Sequence, residues 1–222
     1  MFLAMQPDEH SESKPRLRGR LHQVALVVAI PAGVRLVAAA PSPSARLATT
    51  VYATSLIGLF GASAAYHLMS WSSRALRRIR VLDHCMIFFL IAGTYTAFSV
   101  LALKGAWRVL VLTIVWMGAL TGIALKLFNI EALSRVGGGL YIGLGWAAVL
   151  ALPQLVSELD ALPLVLVVAG GLMYTAGTLV LLKRRPDPNP LVFGYHEVWH
   201  VIVIAASTCH YVAIALLLSA TE

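Results

Sequence analysis

Leu191-Val-Phe-Gly-Tyr-His-Glu-Val-Trp-His-Val-Ile-Val-Ile-Ala-Ala-Ser-Thr-Cys-His-Tyr-Val-Ala-Ile-Ala-Leu-Leu-Leu-Ser-Ala220 carries, histidines aside, one acidic or basic side chain, Glu197, in a run longer than a membrane crossing needs. About 30 Å of hydrocarbon takes ~20 apolar residues at 1.5 Å each, in a helix that satisfies its own backbone. The same run holds His196 and His200, four residues apart and therefore on one helix face. One stretch thus names both the solvent and the chemistry.

Outward from it, six more apolar windows fall at about Leu21–Ala40, Leu47–Met69, Val81–Leu103, Trp107–Phe128, Val136–Leu155 and Leu162–Leu182. Pro41-Ser42-Pro43, Lys104-Gly105 and Pro186-Asp187-Pro188-Asn189-Pro190 punctuate the gaps, since proline and glycine disfavour helix continuation. Hydrophobic residues make up 59% of the chain and charged ones 12%, against roughly 45–50% and 25% in soluble domains. The reading is an all-α polytopic membrane protein. Residues 16–222 form one seven-helix transmembrane domain behind a disordered cytoplasmic N-terminus, residues 1–15. The first apolar run follows a polar stretch with charges of both signs and reaches full span length, so it reads as a retained anchor, not a cleaved signal.

The basic residues set the orientation. Lys14, Arg16, Arg18, Arg20, Arg74, Arg77, Arg78, Arg80, Lys126, Arg135, Lys183, Arg184 and Arg185 lie on one side, leaving Arg46, Lys104 and Arg108 on the other and Arg35 within the first span. Lysine and arginine mark cytoplasmic loops, so the N-terminus is expected inside and the C-terminus outside a cell membrane. The net charge of +7 resides in short loops without interleaved aromatics, which excludes a nucleic-acid interface. Cys85 and Cys209 fall in different spans and have no metal-type spacing.

Ionisable groups within a span are costly and call for partners. His67, Asp83, His196 and His200 all fall near the cytoplasmic ends of their spans. Neutral imidazole is a favoured zinc ligand, and catalytic zinc takes three protein ligands; His196, His200 and His67 supply three. The alternative is that they are polar packing residues bonded across helices. Asp83 suits a carboxylate that orients water and accepts its proton, or an ion pair with Arg77, Arg78 or Arg80. Ser63, four residues before His67, either hydrogen-bonds a substrate oxygen or returns to its own i−4 carbonyl.

His196-Glu-Val-Trp-His200 spells HExxH, in which the glutamate of zinc proteases is the general base. A protease would need a third ligand downstream, and His210 stands ten residues, about 15 Å, beyond His200. Glu197 is therefore expected to face a neighbouring helix or the aqueous inner mouth. His84 points about 100° from Asp83 around its helix, and His22 is read as interfacial. Gly118-x-x-x-Gly122 and Gly139-x-x-x-Gly143 are read as close-packing faces.

Ser63-Ala-Ala-Tyr-His67, Leu82-Asp83-His84, Gly194-Tyr-His196-Glu-Val-Trp-His200 and His210-Tyr211 resemble bacterial hemolysin III, a group similar to the adiponectin and progestin receptors. Lys14-Pro-Arg-Leu-Arg-Gly19, Leu21-His22-Gln23, Ala92-Gly-Thr-Tyr-Thr96 and Gly143-Leu-Gly-Trp146 add to the likeness, which runs from about residue 14 to 215. The resemblance implies a seven-helix fold with an inside N-terminus. It also implies one zinc held by His67, His196 and His200, with Asp83 contacting it through water and Ser63 in the same site. The receptors carry other residues at the positions of His84 and Glu197, which argues against either as a required ligand.

The adiponectin receptors and related alkaline ceramidases point to zinc-assisted hydrolysis of a lipid amide or ester. The partners expected are membrane lipids, including a ceramide-like substrate. The hemolysin name points instead to a pore-forming cytolysin, and a compact sensor with structural zinc is a third reading. Oligomeric state is not legible.

Overall fold

The computed structural model describes residues 15–128 and 134–220. The expected disordered N-terminus lies, apart from Pro15, outside them. The elements are α1 (Arg20–Ala38), α2 (Pro43–Leu68), α3 (Ser73–Ala102), α4 (Gly105–Leu127), α5 (Ser134–Gly145), a 3-10 turn (Ala147–Ala151), α6 (Leu152–Glu158), α7 (Ala161–Lys183) and α8 (Tyr195–Ser219). Seven segments are long and apolar enough to cross a membrane, the fifth being Gly139–Glu158. Among the described residues the one extended pairing is the isolated bridge Asn189–Phe193.

Hydropathy places the spans well and the helix ends less well. Helix α3 starts at Ser73, not Val81, because Ser72 Oγ accepts from the Ala75 amide at 3.4 Å. The arginines that follow are good helix formers, so the helix runs through a charged stretch that the apolar window omits. Helix α2 likewise begins at Pro43, within the expected gap: Ser42 Oγ accepts from the Ala45 amide at 3.2 Å, and proline suits the first helical turn.

The fifth span is not the continuous helix expected over Val136–Leu155. Helix α5 ends at Gly145 and the path restarts through the 3-10 turn into α6, with Pro153 in the first turn of α6. The hydroxyl of Tyr95 fills the break, donating to the Gly145 carbonyl at 2.9 Å and accepting from the Ala148 amide at 2.7 Å. Without water in the hydrocarbon, freed backbone groups need such a partner.

Helices α2 and α3 are the most buried spans, and the most extensive contacts pair α7 with α8, α2 with α3, and α1 with α2. One core joins Leu36, Tyr52, Leu56, Phe60, Leu90, Phe98, Val203 and Ile214 of α1, α2, α3 and α8. A second joins Phe88, Val111, Val115, Leu144 and Leu155, fastening α4 and the fifth span to α3. The Gly118/Gly122 expectation holds: a Cβ at Gly118 would stand 2.5 Å from Leu144, and one at Gly122 would stand 2.2 Å from the Phe88 ring. Gly139 and Gly143 have nothing within 4 Å of such a Cβ, so they are not a close-packing face here.

Candidate metal centre

Helix α2 ends one residue after His67, and α8 begins one residue before His196. The contacts of α2 with α3 and of α3 with α8 gather these ends into one corner of the bundle. There, one ligand nitrogen each from His67, His196 and His200 lie within 4.8 Å of one another. Ring centroids are 4.9 Å apart for His67–His196, 5.4 Å for His67–His200 and 4.6 Å for His196–His200.

The donor set fits a transition metal. His200 is fully buried, and neither of its nitrogens, nor His196 Nε2, has a hydrogen-bond partner. Leaving such groups unpaired costs about 1–3 kcal/mol each. A divalent ion drawing on one nitrogen per ring would offset that cost, and imidazole suits zinc, copper, iron and nickel. The group could hold a metal ion.

Asp83 and Ser63 are buried beside this corner, and the Ser63 hydroxyl lies against the Asp83 carboxyl. Ser63 precedes His67 by one turn of α2, so the carboxyl is tied to a ligand-bearing helix. Asp83 itself is not among the converging ligand atoms. Among the described residues no ion pair joins it to Arg77, Arg78 or Arg80.

Glu197 does not open to an aqueous mouth. It is fully buried, and its Oε1 accepts from Arg18 Nε. Its Oε2 accepts from the Gly194 amide at 2.8 Å, the N-terminal contact that an acid at the third helical position provides. Arg18 belongs to a turn just before α1. The Arg16 and Leu17 amides of that turn donate to the Leu191 and Val192 carbonyls at 3.0 and 3.2 Å. Gly19 of this turn has φ +79°, and a Cβ there would stand 2.6 Å from His67 Cβ, so only glycine brings the strap this close to the cluster.

His22 also departs from expectation. It is 2% exposed, not interfacial, and its ring stacks on His200 with centroids 3.8 Å apart and planes 15° apart. A signal was present: His22, Ala29, Gly33 and Leu36 are the buried residues of α1 and share one helical face. His84 stays outside the cluster, its carbonyl accepting from Tyr141. His210 lies deeper in α8, with Nε2 3.2 Å from the Val167 carbonyl, in space that a Cβ at Gly170 would fill. Beside it Tyr174 Oη and Ser207 Oγ are 2.7 Å apart. Away from the cluster, α7 and α8 are thus joined by polar contacts as well.

A family model, Haemolysin-III related, matches residues 10–211. The chain belongs to the haemolysin-III family. Hemolysin-3 of Bacillus cereus is 31% identical over 189 residues, covering 84% of this chain and 83% of that protein. The Hemolysin-3 homolog of Bacillus subtilis (strain 168) is 28% identical over 189 residues, covering 84% and 85%. A more distant likeness, 25% over 173 residues and 76% and 69% of the two chains, is to the Homo sapiens monocyte to macrophage differentiation factor. Seven apolar helices and these haemolysin-III relatives make this a multi-pass membrane protein.

Proposed function

We propose that this haemolysin-III protein is a zinc-dependent hydrolase of a membrane lipid amide or ester, oriented with its N-terminus in the cytoplasm. The observation that carries the reading is the convergence of His67, His196 and His200 beside a buried Asp83–Ser63 pair. Three protein ligands are the number that catalytic zinc keeps, whereas structural zinc takes four. When bound, zinc supplies Lewis acidity toward a carbonyl and toward water.

The residues of the chain do the rest. Asp83 takes the proton of the attacking water and returns it to the leaving amine or alcohol. Ser63 holds the Asp83 carboxyl in line. The buried corner limits competing water. The surrounding rings, Tyr66 at 4.6 Å from His67 and Trp199 at 5.1 Å from His196, offer apolar surface to an acyl chain. The inside N-terminus rests on the crowding of lysine and arginine into the loops of one side.

The test is Asp83→Asn in purified protein supplied with a fluorescent short-chain ceramide and its ester analogue. Zinc content should stay at the wild-type level while turnover falls about 100-fold or more, the share of a general base. Hydrolysis at the wild-type rate in the variant would overturn the assignment. A pore, which the name of the relatives suggests, would instead show ion conductance in liposomes that survives zinc removal.

A further inference from the structure

Among the described residues, His22 stacks on His200 at this corner yet stands outside the group of converging ligand nitrogens. It is 2% exposed, and both ring nitrogens lack a hydrogen-bond partner. One passes near the His200 backbone carbonyl without reaching hydrogen-bond geometry. A buried imidazole in this condition calls for an explanation, and a bound molecule would supply one.

His22 cannot be a fourth ligand alongside His200. Imidazole binds a metal through a lone pair in the ring plane, about 2.0–2.1 Å from nitrogen. The two rings are stacked at 3.8 Å with planes 15° apart. An ion that His200 held in its own ring plane would therefore not lie in the ring plane of His22. The ring is also held from another direction by Phe60, at 5.1 Å between centroids, and its backbone follows directly on the strap that ends at Gly19. It is fixed beside the three ligands without being one of them.

We propose that His22 is the hydrogen-bond donor to the exogenous molecule that takes the coordination position left open by His67, His196 and His200. The chemical class is a small oxygen or nitrogen donor: water, a carboxylate, or the carbonyl of a substrate. Stacking on His200 sets the ring, and one N–H serves the incoming atom. The assignment rests on the three-histidine metal reading, and it stands whether or not the bound molecule is hydrolysed.

The test uses the full-length protein in detergent, loaded with cobalt(II) and titrated with azide, following the visible d–d absorption. His22→Phe keeps an aromatic ring to stack on His200 and removes the nitrogens. It should bind one cobalt with the wild-type ligand-free spectrum, yet bind azide roughly tenfold or more weakly, the loss of one hydrogen bond to a charged group. His22→Gln, which keeps a donor, should recover part of the affinity. Cobalt uptake with wild-type azide affinity in His22→Phe would overturn the assignment alone. The same holds if His22→Ala loses cobalt while His22→Phe retains both cobalt and azide, for then only the stack matters. A wild-type protein that binds no cobalt would overturn the metal centre, and this assignment with it.

Discussion

Arg18, in the turn before α1, donates from Nε to Oε1 of Glu197, a fully buried carboxylate 179 residues further along the chain in the first turn of α8. Both oxygens of the HExxH glutamate are therefore engaged, one by Arg18 and one by the Gly194 amide. The ion pair latches the strap from Pro15 to Gly19 over the end of α2 that bears His67.

Glu197→Gln should accordingly behave as a stability variant. Removing one partner of a buried pair costs about 3–5 kcal/mol, so thermal unfolding in detergent should shift down strongly. Metal content of the folded fraction should remain near that of the wild type. A variant of undiminished stability that loses only turnover would return Glu197 to the role of general base.

Metal uptake should depend on all three imidazoles together. His67→Ala, His196→Ala and His200→Ala are each expected to weaken zinc binding by more than the roughly 10–100-fold that loss of an outer-shell partner causes. Acidification from about neutral pH downward should release the ion from the wild type, because an imidazole must be neutral to ligate and protons compete for the same lone pairs. The sign is fixed: protons compete, so affinity falls as pH falls. Metal analysis after dialysis across this range is the check, and uptake indifferent to pH would contradict histidine ligation.

Tyr95→Phe probes the broken fifth span. The hydroxyl satisfies both the Gly145 carbonyl and the Ala148 amide, and its loss leaves two backbone groups without a partner in an apolar medium. A destabilisation of about 1–3 kcal/mol is expected, with metal uptake unchanged, since Tyr95 stands twelve residues, about 18 Å, along α3 from Asp83. An unchanged melting temperature would mean that other groups close the break.

Gly93→Ala and Gly139→Ala form a contrasting pair. A Cβ at Gly93 would stand 2.2 Å from Ser55 Oγ and 3.2 Å from the Val51 carbonyl, wedging α2 from α3. Overpacking costs of about 1–3 kcal/mol are expected, and zinc affinity should drop too, because α2 carries His67 and Ser63 while α3 carries Asp83. At Gly139 nothing lies within 4 Å, and alanine there should be neutral or slightly stabilising through helix propensity. Melting curves with zinc titrations would separate the two cases; equal behaviour would refute the close approach of α2 and α3.

The seven spans and the three-histidine group were legible from residue order, because bilayer thickness fixes the length of an apolar run and helical pitch puts His196 and His200 on one face. The start of α3 and the break after Gly145 were not. Hydropathy registers where the solvent changes, whereas caps and a tyrosine from another helix decide where the backbone turns. What residue order also could not supply were pairings between distant parts of the chain. Arg18 with Glu197 and His22 with His200 are set by how α1 and the strap lie against α8. Helical periodicity says which face a side chain occupies but not which helix meets it, and that choice is made by packing across the whole bundle.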